Sequence, residues 1–140
     1  MTTFVIDSGA TQTVVPDHQD LSNENSNNTS FAVASGDTIK ASTIGTLTFN
    51  KAKFKAYKIQ DLSKPLLSVK QLTDQGIAVI FTKESVYAFR MDQDITNKGI
   101  YAEKIGEHKF NNYILSNNPF KFLPSTMTPI AETLMNELNI

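Results

Sequence analysis

The chain has 140 residues, 40% of them hydrophobic, which suits one compact domain with a modest core and is too short for two ordinary domains. Its net charge is −1 and its lysines are scattered, so we expect no direct binding to nucleic acid, which needs a concentrated basic surface. The chain contains no cysteine, and this excludes disulfides, zinc–thiolate sites and thiol nucleophiles.

Short apolar runs dominate the first part of the sequence, and they suit β-strands better than helices. Residues 3–6, with the sequence Thr-Phe-Val-Ile, form a β-prone run that ends at the tripeptide 7–9, Asp-Ser-Gly. Residues 13–15 form a second run, which Pro16 stops. The stretch 21–30 is polar with almost no apolar content, and we predict that it is a mobile loop.

A glycine turn separates the next two β-prone runs. Residues 31–34 and 39–49 flank the turn signal at 35–37, Ser-Gly-Asp, and this pattern predicts a hairpin. Gly45 interrupts the second run and suggests a bulge or a bend. A further strand is predicted over residues 54–59.

The clearest helix signal begins at Ser68. Ser68 and Gln71 have the spacing of a capping box, in which each side chain bonds the backbone N–H of the other residue. Gly76 is well placed to end this helix in the left-handed conformation. Three strands are predicted after it, at 77–81, 86–89 and 99–102.

The C-terminal part has a different pattern. Thr128 resembles an N-cap, with Pro129 at the first helical position. An amphipathic helix is predicted after it from apolar residues four apart, Ile130, Leu134 and Leu138. We assign residues 1–116 to the main domain. Two interpretations of residues 117–140 stay open, namely a linker and an extension that ends in a terminal helix.

The strongest candidate for chemistry is the pentapeptide Asp7-Ser8-Gly9-Ala10-Thr11. The apolar run before it would deliver Asp7 from the core to a surface turn. Gly9 allows close approach of the backbone, and Ser8 and Thr11 supply hydroxyl groups. A carboxylate held there by local donors can act as an acid–base group, while the same residues also fit an ordinary Asx turn that ends a strand.

Two blocks of the sequence resemble one family. Residues 7–10 match the Asp-Thr/Ser-Gly-Ala motif of retroviral and retrotransposon aspartic proteases. Residues 66–72, Leu-Leu-Ser-Val-Lys-Gln-Leu, resemble the Leu-Leu-Ser-Val-x-x-Leu block of copia-type retrotransposon proteases, and Gly76 and the run 77–81 follow as they do there. The chain therefore resembles the copia-type LTR-retrotransposon aspartic proteases, which are retropepsin-like, over about residues 3–89.

The resemblance implies an all-β fold, namely a closed retropepsin-like acid protease barrel with one short helix, a flap hairpin and a possible C-terminal helix. It also implies a homodimer in which each subunit supplies one Asp7 at a two-fold axis. Two close carboxyl groups would share one proton, so that the ionised member activates a water and the protonated member polarises the scissile carbonyl. Ser8 would hydrogen-bond across the axis, and Gly9 would allow close approach of the opposite loop.

The hairpin at 31–49 is the candidate flap, which would close over an extended peptide, and the alternative is a plain surface hairpin. The residues that the resemblance implies at the catalytic centre are Asp7, Ser8 and Gly9. Those that it implies for substrate binding are Ala10, Ala34, Ser35, Gly36, Asp37 and Thr38.

The implied function is an aspartic endopeptidase that processes a retrotransposon Gag-Pol polyprotein, including its own release, in the cytoplasm within virus-like particles. The expected partners are a second copy of the chain and Gag-Pol peptide segments, with no cofactor and no metal. No membrane partner is expected, since no apolar run approaches the ~20 residues that span a bilayer. Two alternatives are a non-catalytic, domesticated protease-fold module that binds extended peptides and a serine hydrolase that uses Ser8, which no nucleophile-elbow motif supports.

Overall fold

The computed structural model describes residues 3–27, 29–32, 36–93 and 99–139. Within these ranges the chain is mostly β, with twelve strands and two short helices. No helix in the described part has the length and apolar character needed to cross a membrane. The elements in chain order are β1 (Val5–Asp7), β2 (Thr13–Pro16), β3 (Ser22–Ser26), β4 (Ser30–Ala32), β5 (Thr38–Phe49), β6 (Ala52–Ile59), β7 (Leu66–Ser68), α1 (Val69–Asp74), β8 (Ile77–Phe81), β9 (Ser85–Arg90), β10 (Tyr101–Lys109), β11 (Asn112–Leu115), β12 (Met127–Pro129) and α2 (Ile130–Glu137).

The described strands form one open mixed sheet. Its hydrogen-bonded order is β3-β5-β6-β2-β7-β1-β11-β10-β9-β8, while β4 pairs with β5 and β12 pairs with β10. The closed barrel expected from the sequence is not formed by pairing among these strands, because the order begins at β3 and ends at β8. Strand β8 pairs antiparallel with β9, which follows it directly in the chain. Its partner is therefore the neighbouring strand and not β3 at the other end of the sheet.

Strand β1 lies in the middle of this order. It pairs in parallel with β7, where Ile6 is opposite Leu67, and antiparallel with β11, where Val5 is opposite Ile114. The other edge of β7 meets β2, with Val14 opposite Leu66. Asp7 therefore stands at the carboxyl end of a strand that is held on both sides.

Two apolar clusters are present, and at β9 they lie on opposite faces of the sheet. The larger one brings together Phe4, Ile6, Phe54, Leu67 and Phe120, all buried. Burial of each large side chain contributes roughly 1.5–3 kcal/mol. The second cluster packs α2 against β9 and β10 through Ile130, Tyr87, Phe89 and Ala102.

The predicted strands are largely confirmed, but the polar stretch 21–30 was wrongly predicted to be a mobile loop. Its residues Ser22–Ser26 form β3, an exposed strand that pairs antiparallel with β5. An ion pair between Glu24 and Lys58 holds it, and the Thr43 hydroxyl donates to the same carboxylate. Because β3 is held by backbone pairing and polar contacts and buries no apolar face, its sequence shows no apolar periodicity.

Gly45 marks an irregularity on one side of β5 only. It pairs regularly with Ala56 in β6, whereas the register with β3 shifts opposite Gly45, where two residues of β3 lie between Ser22 and Asn25. A Cβ atom at residue 45 would lie 2.8 Å from the Leu21 Cβ and 2.9 Å from the Ser22 carbonyl oxygen. Glycine is therefore needed there for the close approach of the chain that leads into β3.

Helix α1 confirms half of the predicted capping box. The Ser68 hydroxyl accepts a hydrogen bond from the Gln71 backbone N–H at 3.3 Å. The Gln71 side chain does not reach back to Ser68, because it bonds instead to the Thr13 hydroxyl and the Lys55 carbonyl. Gly76 follows the helix with a φ of +76°, as predicted.

Helix α2 is present, but the prediction of Thr128 as its N-cap was wrong. Thr128 belongs to β12, where it lies opposite Ala102, and the N-cap is Pro129, which has no side-chain capping bond. The first-turn contact is made instead between the hydroxyls of Thr128 and Thr133, 3.0 Å apart. Of the predicted apolar stripe, Ile130 is buried and Leu138 is 68% exposed.

A buried carboxylate anchors the segment that precedes β12. Glu103 in β10 is only 5% exposed. Its oxygens accept hydrogen bonds from the backbone N–H groups of Phe120 at 2.6 Å and Phe122 at 2.8 Å and from the Thr126 hydroxyl at 2.7 Å. The Phe120 side chain is thereby held in the main core, 6.0 Å from the Phe54 ring centroid.

Candidate active site

Asp7 ends β1 and begins a tight turn. Its side chain is half-buried, whereas Ser8 and Gly9 are exposed. The Asp7 Oδ1 accepts a hydrogen bond from the Gly9 N–H at 2.8 Å, and the Ala10 N–H donates to the Asp7 carbonyl at 3.4 Å. This is the Asx turn that the sequence allowed. Within the described part of the chain, Gly9 is the only donor to the carboxyl group, so the turn fixes its direction and leaves one oxygen for other chemistry.

A second layer of polar groups lies beneath the turn. Ser68 comes directly opposite Asp7 in the parallel pair of β1 and β7. The Ser68 hydroxyl donates to the Ala10 carbonyl at 2.7 Å, and its backbone N–H donates to the Thr13 hydroxyl at 3.1 Å. Both Ser68 and Thr13 are fully buried, so the turn that carries Asp7 rests on a buried hydrogen-bonded support.

Asp7 and Ser8 line an open hollow of about 500 Å³. Its other walls include Val5, Leu66, Lys64, Phe81, Asn112 and Tyr113. Asp7 is the only carboxylate among the described residues that line it. One chain therefore offers a single carboxylate in a partly apolar recess.

An apolar row crosses the sheet beside Asp7. Residues directly opposite each other in neighbouring strands point to the same face, and residues two apart in one strand do so as well. Val5 therefore shares a face with Asp7. Its row across six strands, from β5 to β11, consists of Ile44, Tyr57, Val14, Leu66, Val5 and Ile114. All except the buried Tyr57 are half-buried, so this face keeps apolar surface available next to the carboxylate.

The predicted flap hairpin is present in its described part. Strands β4 and β5 pair antiparallel, with Phe31 opposite Ile39. Gly36 has a φ of +89°, as a turn requires, and Asp37 and Thr38 are exposed. Ala34 and Ser35, which the sequence analysis named for substrate binding, lie outside the described residues.

One residue of the hairpin packs against the apolar row. The Phe31 ring packs edge-to-face on the Tyr57 ring, with centroids 4.7 Å apart. The described tip residues Gly36, Asp37 and Thr38 do not line the hollow around Asp7. The structure thus brings Asp7 together with Ser8, Gly9 and Ala10 in one turn, and it packs Phe31 of the hairpin against the neighbouring Tyr57.

Several residues of this site were missed in the sequence. Val5, Val14 and Leu66 carry a signal that could have found them, because strand alternation places Val5 on the face of Asp7. Asn112 and Tyr113 carry no such signal, since they reach the hollow from a hairpin far along the chain.

No protein-family model matches the sequence, and no curated protein matches it. Among the described residues, no group of three or more His, Asp or Glu side chains is placed to hold a metal ion.

Proposed function

We propose that this chain is an aspartic endopeptidase with a retropepsin-like fold, which acts as a homodimer with one Asp7 from each subunit. The observation that supports this most is the position of Asp7. It ends a central strand, its carboxyl group is oriented by Gly9, and it faces a partly apolar recess beside a six-residue apolar row. The chain order of Asp7 turn, hairpin and α1 also fits this fold.

The need for a second copy follows from the chemistry. Peptide hydrolysis requires a base that deprotonates the attacking water and an acid that polarises the carbonyl oxygen. The hollow supplies one carboxylate, so a two-fold axis next to Asp7 would supply the second as an identical group. Two carboxyl groups in contact cannot both ionise cheaply, and the pair therefore holds one proton.

The steps at the pair are then the following. The ionised Asp7 takes a proton from a water molecule, whose oxygen attacks the scissile carbonyl carbon. The protonated Asp7 donates to the carbonyl oxygen, which gives a tetrahedral diol. The first Asp7 passes its new proton to the amine nitrogen as the C–N bond breaks. One of the two diol hydroxyls then returns its proton to the second Asp7, which leaves the product carboxylic acid and restores the pair. The Gly9 N–H keeps Oδ1 in place throughout.

The substrate would be an extended peptide. In an extended chain, alternate side chains point to the same side. The apolar surface of Val5, Leu66 and Val14 beside Asp7 suits apolar side chains near the scissile bond. The hairpin above this face would act as the flap that excludes bulk water. We propose Gag-Pol segments as the substrate, cleaved in the cytoplasm within virus-like particles.

Covalently linked dimers test the proposal most directly. We expect Asp7→Asn in only one of the two linked copies to lower peptide cleavage by about 10²–10⁴-fold, as loss of an acid–base group does. Asp17→Asn in one copy is the matched control, because it makes the same change at an exposed aspartate near in sequence. Cleavage at the unchanged rate by the Asp7→Asn dimer would rule out the paired carboxylates.

Sedimentation, peptide binding and the activity of variants distinguish the proposed enzyme from its two alternatives. A chain that stays monomeric and binds extended peptides without cleaving them is the non-catalytic module. An active enzyme that Asp7→Asn spares and Ser8→Ala inactivates is the serine hydrolase.

A further inference from the structure

Three buried or half-buried side chains connect the Asp7 turn to the rest of the fold. They are Thr13 in β2, Ser68 before α1 and Gln71 within α1. Thr13 and Ser68 are fully buried, and Gln71 is half-buried. The Gln71 side chain reaches β6, where its Nε2 donates to the Lys55 carbonyl at 3.0 Å.

The donor and the acceptor of each hydrogen bond in this group are determined by the bonds that its neighbours make. The Ser68 N–H donates to the Thr13 Oγ1 at 3.1 Å, so the Thr13 hydroxyl gives its own proton to the Gln71 Oε1 at 2.6 Å. The Gln71 N–H donates to the Ser68 Oγ at 3.3 Å, and the Ser68 hydroxyl gives its proton to the Ala10 carbonyl. A polar group buried without its partner costs more than the lost bond contributes, so the whole arrangement holds together or opens together.

Ser68 fixes the turn at both of its ends. Its backbone is opposite Asp7 in the parallel pair, and its hydroxyl holds the carbonyl of Ala10, where the turn ends. Among the described residues, neither Thr13 nor Gln71 forms a hydrogen bond with either end of the turn. They orient Ser68 and connect it to the Lys55 carbonyl in β6.

We propose that Thr13, Ser68 and Gln71 are positioning residues that set the place of the Asp7 carboxyl group, with Gln71 as the connection between the turn and β6. The catalytic part of this inference rests on the proposed function, because it concerns the same carboxyl group. None of the three residues lines the hollow, so they act through the turn and not through the substrate.

Thr13→Val and Thr13→Ser form the first experimental pair. Valine keeps the shape of threonine and removes the hydroxyl, whereas serine keeps the hydroxyl. We expect Thr13→Val to lower kcat by about 10²-fold with little change in KM, since small misplacement of a reacting group has effects of this size. Thr13→Ser should retain kcat of the wild-type order. Thr48→Val, the same change at an exposed position of β5, should have no effect.

Gln71→Met and Gln75→Met form the second pair, and neither residue is buried. Gln75 lies one turn further along the chain than Gln71 and also bonds to β6, at the N–H of Lys53. Its Nε2 donates to the Gln71 carbonyl, but among the described residues its side chain forms no hydrogen bond with Thr13 or Ser68. We expect Gln71→Met to lower kcat and Gln75→Met to leave it unchanged. Equal effects of the two variants would mean that docking of the helix on β6 matters and that the connection to the turn does not.

Amide hydrogen exchange at Gly9 and Ala10 gives a readout that needs no enzyme activity. Both N–H groups are bonded within the turn, so their exchange rates report its opening. Thr13→Val and Gln71→Met should raise both rates, and Thr48→Val and Gln75→Met should not. Unchanged rates in Thr13→Val overturn the positioning role. Raised rates in a chain without peptidase activity would support the positioning of the turn and refute only the proposed function.

Discussion

Val5 and Leu66 lie directly opposite each other in the parallel pair of β1 and β7, and each has a second apolar neighbour across its other edge, Ile114 and Val14 respectively. Both are half-buried on the face that carries Asp7. The same two strands place Ile6 and Leu67 side by side on the opposite face, in the main core. One strand pair thus separates the surface next to the carboxylate from the interior.

Leu66 and Leu67 should respond differently to the same substitution. Leu67→Ala removes a fully buried side chain and should cost about 2–5 kcal/mol in the free energy of unfolding. Leu66→Ala should cost less and should raise KM for peptides with apolar side chains near the scissile bond. Urea denaturation and steady-state kinetics on both variants measure this. Equal destabilisation with an unchanged KM in Leu66→Ala would show that this face does not meet the substrate.

Glu103→Gln should destabilise the fold by about 1–3 kcal/mol, because a carboxamide has one acceptor oxygen and turns an NH₂ group toward backbone N–H donors. The buried carboxylate now accepts from Phe120, Phe122 and Thr126. Glu107→Gln is the matched control in the same strand, since Glu107 forms only exposed ion pairs with Lys104 and Lys109. A smaller loss for Glu103→Gln than for its control would contradict the anchoring role.

Gly106→Ala should destabilise the centre of the sheet. A Cβ atom at this position of β10 would lie 2.5 Å from the Ile114 carbonyl oxygen and 2.8 Å from the Ile6 Cδ1. Overpacking of this kind costs about 1–3 kcal/mol, and here the strain would fall on β11 and on Ile6 of β1. At Gly36 no atom of the described residues lies within 4 Å of an added Cβ atom, so the expected cost of Gly36→Ala is the strain of its positive φ. Thermal unfolding of both variants gives the comparison.

The ion pair of Glu24 and Lys58 should give β3 a pH-dependent attachment. The hydrogen bond from Lys58 is the main reason that the pKa of Glu24 lies below its ordinary value. Because the folded-state pKa is lowered, the contribution to stability is present above the unfolded-state pKa and is lost as the pH falls through the folded-state value.

We therefore expect the difference in urea midpoint between the wild type and Glu24→Gln to shrink as the pH is lowered from neutral to strongly acidic. Lys58→Met should remove the same pH-dependent part, and added salt should weaken it. A difference that stays constant over this range would mean that the ion pair does not hold β3.

The local signals in the sequence located much of this fold. Alternation identified β1, β2 and the hairpin of β4 and β5, and the Ser68 and Gly76 signals identified the ends of α1. These succeeded because strand alternation, helix caps and left-handed turns are decided by residues that are close along the chain.

The pairing of elements that are far apart in the chain could not be predicted from these local signals. The polar strand β3 has no apolar periodicity, because β5 supplies the pairing that makes it a strand. Thr128 has the letters of an N-cap, but pairing with Ala102 in β10 takes its backbone into a strand. The sequence alone would predict Glu103 to be an exposed charge, because its partner, the backbone N–H of Phe120, is 17 residues away. In each case the deciding partner is remote in sequence.

The late position of β11 and Phe120 has a consequence for biosynthesis. Strand β1 pairs with β11, and Phe120 completes the packing around Phe54, so the middle of the sheet lacks a strand and a core side chain until residues 112–120 have left the ribosome. Long-range β pairing also closes slowly. A nascent chain therefore exposes one edge of β1 until then, and the native environment of Asp7 is assembled only after residues 112–120 have been made.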